Sequence, residues 1–124
     1  MKILLLVAHG SRQVAANQAI RELAAQVESA SDSEYGAVVA AFLEFAEPDI
    51  ASGIDHCAKL GATNIAVIPY FLSAGAHVNR DIPEQLQAAS LRYPQIGLTV
   101  APHFGAMEGM VDAVIKCAST IKDL

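Results

Sequence analysis

Short apolar runs alternate with amphipathic stretches along the whole chain. Four mainly apolar runs, the last of them weaker, are typical of parallel strands that are covered on both faces. They lie at residues 2–8, 37–45, 63–71 and 95–102. Four stretches follow them with the spacing of helices, at residues 13–29, 47–61, 81–92 and 107–124. The order βαβαβαβα predicts an α/β fold, a four-stranded parallel sheet with helices on both faces.

Capping and helix-breaking residues mark the ends of the predicted helices. Pro48 lies near the first turn of the second helix, and Gly61 stops that helix. Asp81 is the predicted N-cap of the third helix, with Pro83 and Glu84 in its first turn. Residues 72–80 are therefore predicted to form a loop between the third strand and the third helix.

Length and composition indicate one ordinary domain over residues 1–124. Hydrophobic residues make up 53% of the chain and charged residues 17%, which excludes disorder and favours a buried interface between subunits. The formal net charge is −5 and the sequence has no basic stripe, so we expect no nucleic-acid partner.

The cysteines and the N-terminal segment indicate a cytoplasmic protein. Cys57 and Cys117 are far apart and form no C-x-x-C motif, so we interpret them as small buried thiols in a reducing compartment. The first apolar run meets His9 and Arg12 without a cleavage site for a signal peptide. The apolar runs are also far shorter than the ~20 residues of a membrane span, so we expect no membrane association.

Chemically active residues cluster at the ends of the predicted strands. In an open α/β sheet the carboxyl ends of parallel strands share one edge, where ligands bind. That edge receives His9, Glu44, His77 and His103, whereas the remaining histidine, His56, lies within a helix. Two neutral imidazoles and a carboxylate can bind a divalent transition metal and accept protons near neutral pH.

Each of these residues also has a purely structural interpretation. Ser11 could cap the first helix, and a histidine at a strand end is often a hydrogen-bonded loop residue. Arg12 and Arg80 either clamp the carboxylates of an acidic ligand or belong to ordinary turns. Glu44 interrupts an apolar run, where a carboxylate without a partner is costly to bury.

Three segments in order resemble one known family. "LLLVAHGSR", "AFLEFAEPD" and "VIPYFLSAGAHVNRDIP" resemble the short-form class II chelatases, the CbiX/SirB-type sirohydrochlorin cobaltochelatase family, related to ferrochelatase. The resemblance implies ATP-independent insertion of a divalent metal, Co²⁺ foremost and otherwise Ni²⁺ or Fe²⁺, into sirohydrochlorin during cobalamin or sirohaem biosynthesis. It also implies a homodimer and no cofactor beyond the substrate metal.

The resemblance also implies residue roles. His9 matches the family's proton acceptor and metal ligand, His77 matches the second metal ligand, and Glu44 lines the same cleft as a third catalytic group. The loop before His77 would lie against the macrocycle, where small residues allow a close approach. The predicted substrate-binding residues are Ser11, Arg12, Leu72, Ser73, Ala74, Gly75 and Ala76.

Two other functional classes compete with this prediction. A non-catalytic carrier of metal or tetrapyrrole, a degenerate chelatase paralogue, would need the same ligands but would yield no metallated product. A histidine phosphatase needs an arginine immediately before its catalytic histidine, and here that position is Ala8. Formation of a metallated product would distinguish the chelatase from the carrier.

Overall fold

The computed structural model describes residues 1–31, 34–73 and 75–123, and for His77 only its place in a helix. The strands are β1 (Lys2–Ala8), β2 (Ala37–Phe42), β3 (Asn64–Pro69) and β4 (Gly97–Val100). The helices are α1 (Val14–Ala30), α2 (Ile50–Lys59), α3 (Ala76–Arg92) and α4 (Met110–Ala118). A short 3₁₀ turn, Phe104–Ala106, precedes α4.

The strands form one parallel sheet in the order β2-β1-β3-β4. The connection from β1 to β2 moves in one direction across the sheet. The connections from β2 to β3 and from β3 to β4 move in the opposite direction. Right-handed crossovers in opposite directions put the connecting helices on opposite faces. The predicted α/β architecture, a four-stranded parallel sheet with helices on both faces, is confirmed.

The main core lies between the sheet and the helices α2 and α3, a side that we call the covered face. Alternate residues of β1 point to this face, and Ile3, Leu5 and Val7 have no exposed surface. The helices contribute residues such as Ile54 from α2 and Ile82 from α3, each almost fully buried. This period-two alternation is what a strand between two layers requires.

The opposite side, which we call the open face, carries only α1. Its core is smaller and consists of Leu6, Ala8, Ala24, Ala40 and Phe42. The helix lies over β2, and the outward residues of β3 on this face, Ala66 and Ile68, remain half-buried.

The helix α4 stands apart from both faces. None of its described residues is buried, and Val114 and Ile115 are each 64% exposed. The helix also ends at Ala118, earlier than the pattern of residues 107–124 predicts.

The third helix begins earlier than predicted, at Ala76 with Gly75 as its N-cap. Val78 is buried together with Ile82 and Leu86, so the apolar stripe that holds α3 on the sheet starts before Asp81. Burial of this stripe outweighs the cost of Pro83, which lies inside the helix. The prediction of a loop through residue 80 is therefore wrong, and His77 belongs to the first turn of α3.

The second strand and helix are also shorter than predicted. The strand β2 ends at Phe42, so Glu44 lies in the following loop and its side chain is exposed, with no burial cost. Asp49 caps α2 by accepting a hydrogen bond from the Ser52 N–H at 2.8 Å, and Pro48 precedes this cap.

The two cysteines have different surroundings. Cys57 is fully buried on the covered face, where burial raises the pKa of its thiol to about 11. Cys117 is exposed on α4, so the prediction of two buried thiols is wrong for this one.

A polar cluster joins the middle of α2 to the carboxyl end of α3. Asp55 accepts hydrogen bonds from the Tyr93 hydroxyl at 2.6 Å and from the Arg92 guanidinium at 3.2 Å. The Tyr93 hydrogen bond, helped by Arg92, lowers the pKa of the Asp55 carboxyl, and Asp55 in turn raises the pKa of Tyr93. In the described part of the chain, no helix has the length and apolar character needed to cross a bilayer.

Candidate functional site

The loop after β1 is held by a buried asparagine on α1. Asn17 is 6% exposed, and its side-chain oxygen accepts from the Ser11 N–H at 2.8 Å. Its amide nitrogen donates to the Ser11 carbonyl at 2.7 Å. The Ser11 hydroxyl accepts from the Gln13 N–H at 3.0 Å, immediately before α1 begins. These bonds fix the backbone immediately after Gly10, and the His9 side chain is exposed at the carboxyl end of β1.

The loops after β1 and β2 are interlocked at Gly10. The N–H of Glu44 donates to the His9 carbonyl at 3.0 Å. Gly10 has φ +87°, and a β-carbon there would lie 1.7 Å from the Glu44 carbonyl oxygen. Glycine alone fits this close approach of two backbones. The positions of His9 and Glu44 are therefore mechanically coupled.

A cavity of about 410 Å³ opens beside His9. The imidazole packs edge-on to the Phe71 ring with 5.1 Å between centroids. The far wall is the segment after β3, where Leu72 and Ser73 are exposed. Phe71 accepts a hydrogen bond from the Gly105 N–H at 2.9 Å, so the loop after β4 supports this wall. The lining residues are Ala8, His9, Gly10, Ser11, Ala16, Asn17, Ile20, Tyr70, Phe71, Leu72 and Ser73.

A larger groove of about 1220 Å³ runs along the outer side of β2, between α1 and α2. Glu44 and Phe45 lie in its lining, whereas His9 lines the smaller cavity. Phe45 adopts φ +66° and is 54% exposed, and the Arg12 guanidinium lies 4.9 Å from the centre of its ring. This stacking holds a cation at the edge near Glu44.

The remaining predicted residues lie at the start of α3. Ala74 and the His77 side chain are outside the described residues. Ala76 is exposed in the first turn, and a β-carbon on Gly75 would meet no other atom within 4 Å. The backbone at Gly75 is therefore sterically open on that side. Arg80 lies 3.6 Å from the Asp81 carboxylate, which makes it a weaker candidate than Arg12 for binding an anion.

The described residues form no resident metal site, because no group of three or more His, Cys, Asp or Glu side chains comes together among them. His56 is exposed on α2 as predicted, and His103 is half-buried as the N-cap of the 3₁₀ turn. Among the described side chains, His9 is the only exposed histidine at this edge, an arrangement that fits an ion in transit better than a stored ion.

The sequence interpretation missed three residues that shape the edge. Asn17 shares a helical face with Ile20 and Ala24, and a polar residue within an apolar stripe is a signal that could have revealed it. The ring contact of Phe71 and the positive φ of Phe45 leave no such signal, since both depend on how the loops meet.

The fold and the site together define an open parallel α/β domain that presents an accessible histidine at its ligand-binding edge. The family model CbiX matches residues 3–120, and the chain belongs to this family. The sirohydrochlorin ferrochelatase of Priestia megaterium is 36% identical over 118 residues, which are 94% of this chain and 43% of that protein. The sirohydrochlorin cobaltochelatase of Methanopyrus kandleri is 37% identical over 86 residues, which are 69% of this chain and 59% of that protein.

A solved structure extends the comparison to three dimensions. The sirohydrochlorin chelatase SirB from Bacillus subtilis subspecies spizizenii, in complex with cobalt, aligns with a TM-score of 0.85 at 35% identity. The alignment covers 97% of this chain and 50% of the SirB chain. The chain thus spans about half the length of the relatives that it matches.

Proposed function

We propose that this chain catalyses ATP-independent insertion of a divalent metal ion into sirohydrochlorin, with Co²⁺ as the preferred metal. The observation that carries the proposal is the accessible His9 beside an open cavity, in a chain that belongs to the CbiX family. The relatives include both ferrochelatases and cobaltochelatases, so the choice of Co²⁺ over Fe²⁺ or Ni²⁺ is the finer part of the proposal.

Insertion exchanges two protons for one metal ion. The ion replaces the protons on two pyrrole nitrogens, and both protons leave as the nitrogen–metal bonds form. An imidazole has an unperturbed pKa of about 6.5, so it can accept a proton at neutral pH and release it to water afterwards. We assign this step to His9, with His77 as a second metal ligand and Glu44 as an acceptor at the neighbouring loop.

The metal enters as a substrate and must lose water before it binds nitrogen. Imidazole nitrogen is a good ligand for Fe²⁺, Co²⁺ and Ni²⁺, and affinity rises in that order for reasons that the protein does not control. One or two histidine ligands would hold the ion loosely enough for the macrocycle to take it. This fits the lack of a three-ligand cluster in the described part of the chain.

The macrocycle itself is acidic, and the chain carries a net charge of −5. A local cation is therefore needed to offset repulsion of the substrate's carboxylates. Arg12 is suited to this role because the Phe45 ring holds its guanidinium at the exposed edge. Ser11 and the segment from Leu72 to Ala76 would then lie under one side of the ring.

A tetrapyrrole with its side chains is larger than the cavity beside His9, so a second surface must complete the site. The chain spans 50% of the SirB chain, which supports a homodimer in which two copies supply what one longer chain supplies there. We include this homodimer in the proposal.

Anaerobic mixing of the protein with sirohydrochlorin and Co²⁺, Ni²⁺ or Fe²⁺ in turn tests the proposal through the absorbance of the macrocycle. We expect the fastest reaction with Co²⁺ and a loss of at least about 100-fold in His9→Ala, in line with removal of a general base. His56→Ala is the matched control, because it removes an exposed histidine of α2 that borders the larger groove and does not line the cavity beside His9, and it should keep the wild-type rate.

Two results would contradict the proposal. Wild-type turnover in His9→Ala would remove His9 from the mechanism. Binding of macrocycle or metal without acceleration over a protein-free solution would instead identify a carrier.

A further inference from the structure

Asn17 is the one buried polar side chain in the part of the chain that the structure describes. It occupies the apolar stripe of α1 together with Ile20 and Ala24, where a hydrophobic residue is expected. Its side chain is 6% exposed and lines the cavity beside His9. Burial of an amide costs free energy unless hydrogen bonds compensate for it, so the partners of this amide indicate what it is for.

Both hydrogen bonds of the Asn17 side chain go to the backbone of Ser11. The amide oxygen accepts from the Ser11 N–H at 2.8 Å, and the amide nitrogen donates to the Ser11 carbonyl at 2.7 Å. A residue that is held by its N–H and its carbonyl together has little freedom to shift. Asn17 therefore anchors the loop after β1 to the first turn of α1.

A second contact holds the same loop from the other side. The Glu44 N–H donates to the His9 carbonyl at 3.0 Å, and Gly10, with φ +87°, lies between this contact and Ser11. Glycine has the greatest backbone freedom of any residue, so neither contact alone fixes the path from His9 to Ser11. Both contacts are needed to set the direction in which the backbone leaves His9.

The surroundings of Ser11 favour a role in the site over a role in stability. Ser11 is only half-buried, so water can satisfy its N–H and carbonyl when Asn17 is replaced. The His9 imidazole, by contrast, packs edge-on to the Phe71 ring with 5.1 Å between centroids, and a shift of the loop would change this contact. Loss of Asn17 should thus disturb His9 more than the fold.

We propose that Asn17 is a positioning residue of the candidate site, which holds Ser11 and through it keeps His9 in the geometry that proton transfer needs. A misplacement of about 1 Å in a reacting group can lower a rate by about 100-fold. The expected effect on the rate rests on the proposed chelatase function, whereas the effect on the loop does not.

Steady-state insertion of Co²⁺ into sirohydrochlorin tests the effect on the rate. Asn17→Leu should lower kcat about 10- to 100-fold and change either KM less than about threefold, because an interaction that orients the base has been removed. The urea midpoint of unfolding should stay close to that of the wild type. Gln18→Leu is the matched control, because Gln18 is the exposed neighbour on α1 and does not line the cavity.

Asn17→Asp keeps the shape of the side chain and changes only its hydrogen bonds. A carboxylate cannot donate to the Ser11 carbonyl, whereas the protonated acid can donate there and still accept from the Ser11 N–H. Burial raises the pKa of such a carboxyl, so the rate relative to wild type should rise at least about threefold as the pH falls from about 8 to about 6. The cavity lining also contains the titratable groups of His9 and Tyr70, and Arg21 follows one turn later on α1. All three are common to both proteins, so the ratio isolates the new carboxyl.

Nuclear magnetic resonance tests the loop without any turnover. In the wild type the Ser11 amide should exchange its hydrogen slowly, and in Asn17→Leu it should exchange at least about tenfold faster. The ring signals of His9 should shift or broaden in the same variant, because the imidazole no longer keeps one position against Phe71. Gln18→Leu should leave both observations unchanged.

The outcomes separate positioning from its alternatives. Wild-type kcat in Asn17→Leu would overturn the proposal, as would a loss of rate that follows a matching loss of stability. A ratio for Asn17→Asp that is low at every pH would also contradict it. If the wild type itself has no turnover, the proposed function fails. Unchanged Ser11 exchange and His9 signals would then overturn the positioning role as well, and changed ones would support it.

Discussion

The two faces of the sheet differ in how completely helices cover them. On the covered face, α2 and α3 bury a large cluster that includes Ile65 and Val67 of β3. On the open face, α1 alone buries a small cluster, and Ile68 of the same strand stays half-buried beside an unfilled groove. The strand β3 thus contributes to a fully buried core on one face and to a partly exposed apolar surface on the other.

This difference separates the parts of the molecule that stabilise it from the parts that can bind something else. Burial of apolar surface is the main source of stability, and most of it occurs on the covered face. An apolar groove and an apolar helix left in water are the usual marks of an interface. The candidate site lies at the edge where the loops from both faces meet.

A matched pair of substitutions on β3 should show the largest difference. Ile65→Ala removes a fully buried side chain and should lower the free energy of unfolding by about 3–4 kcal/mol, whereas Ile68→Ala should lower it by about 1 kcal/mol. Urea denaturation followed by circular dichroism measures both values. Equal costs at low concentration would show that the two faces are equally packed.

The loop that leads to α1, the helix on the open face, should be the next most sensitive position. Gly10→Ala combines a positive φ with a collision against the Glu44 carbonyl and should cost about 3 kcal/mol or more. Gly61→Ala is the control, because Gly61 also has a positive φ but has nothing within 4 Å, and it should cost about 1 kcal/mol. Thermal unfolding compares them, and similar losses would mean that the loops are not interlocked.

The reactivities of the two thiols allow a direct comparison of the covered face, which contains Cys57, with α4, which contains Cys117. With a pKa of about 11, Cys57 is ionised in roughly one molecule in a thousand at pH 8, and it is also buried. We expect iodoacetamide to modify Cys117 at least about 100-fold faster than Cys57, as followed by mass spectrometry. Both should react at similar rates in denaturant. Rapid labelling of Cys57 in the native protein would mean that the covered face opens readily.

The smallest effect should come from the polar cluster that joins α2 to α3. Tyr93→Phe removes the hydrogen bond to Asp55 and should lower the unfolding temperature slightly at neutral pH. Because the pKa of Asp55 is lowered on folding, this contribution is present above the ordinary value of 3.8 and is lost as the pH falls through the folded value. The raised pKa of Tyr93 makes the contribution disappear again at high pH. A difference between variant and wild type that did not change with pH would exclude this cause.

The candidate site shows where inference from sequence succeeds and where it stops. Parallel strands end at one edge, so the element order was enough to bring His9 and Glu44 to neighbouring loops. The start of α3 was missed because Asp81 and Pro83 are strong local signals, whereas the burial of Val78 that extends the helix depends on the sheet beneath it. The metal, the substrate and the catalytic role of each residue stay predictions.

The sequence by itself determined the strands, the helices, the parallel sheet and the family, because apolar periodicity and short motifs are properties of neighbours along the chain. Only the tertiary structure decided which face of the sheet is fully covered by helices. The distribution of α1, α2 and α3 over two faces, and the exposure of α4, depend on how distant segments pack. The fit of Gly10 against Glu44 has the same origin, since a contact between two loops is set by the sheet that carries both.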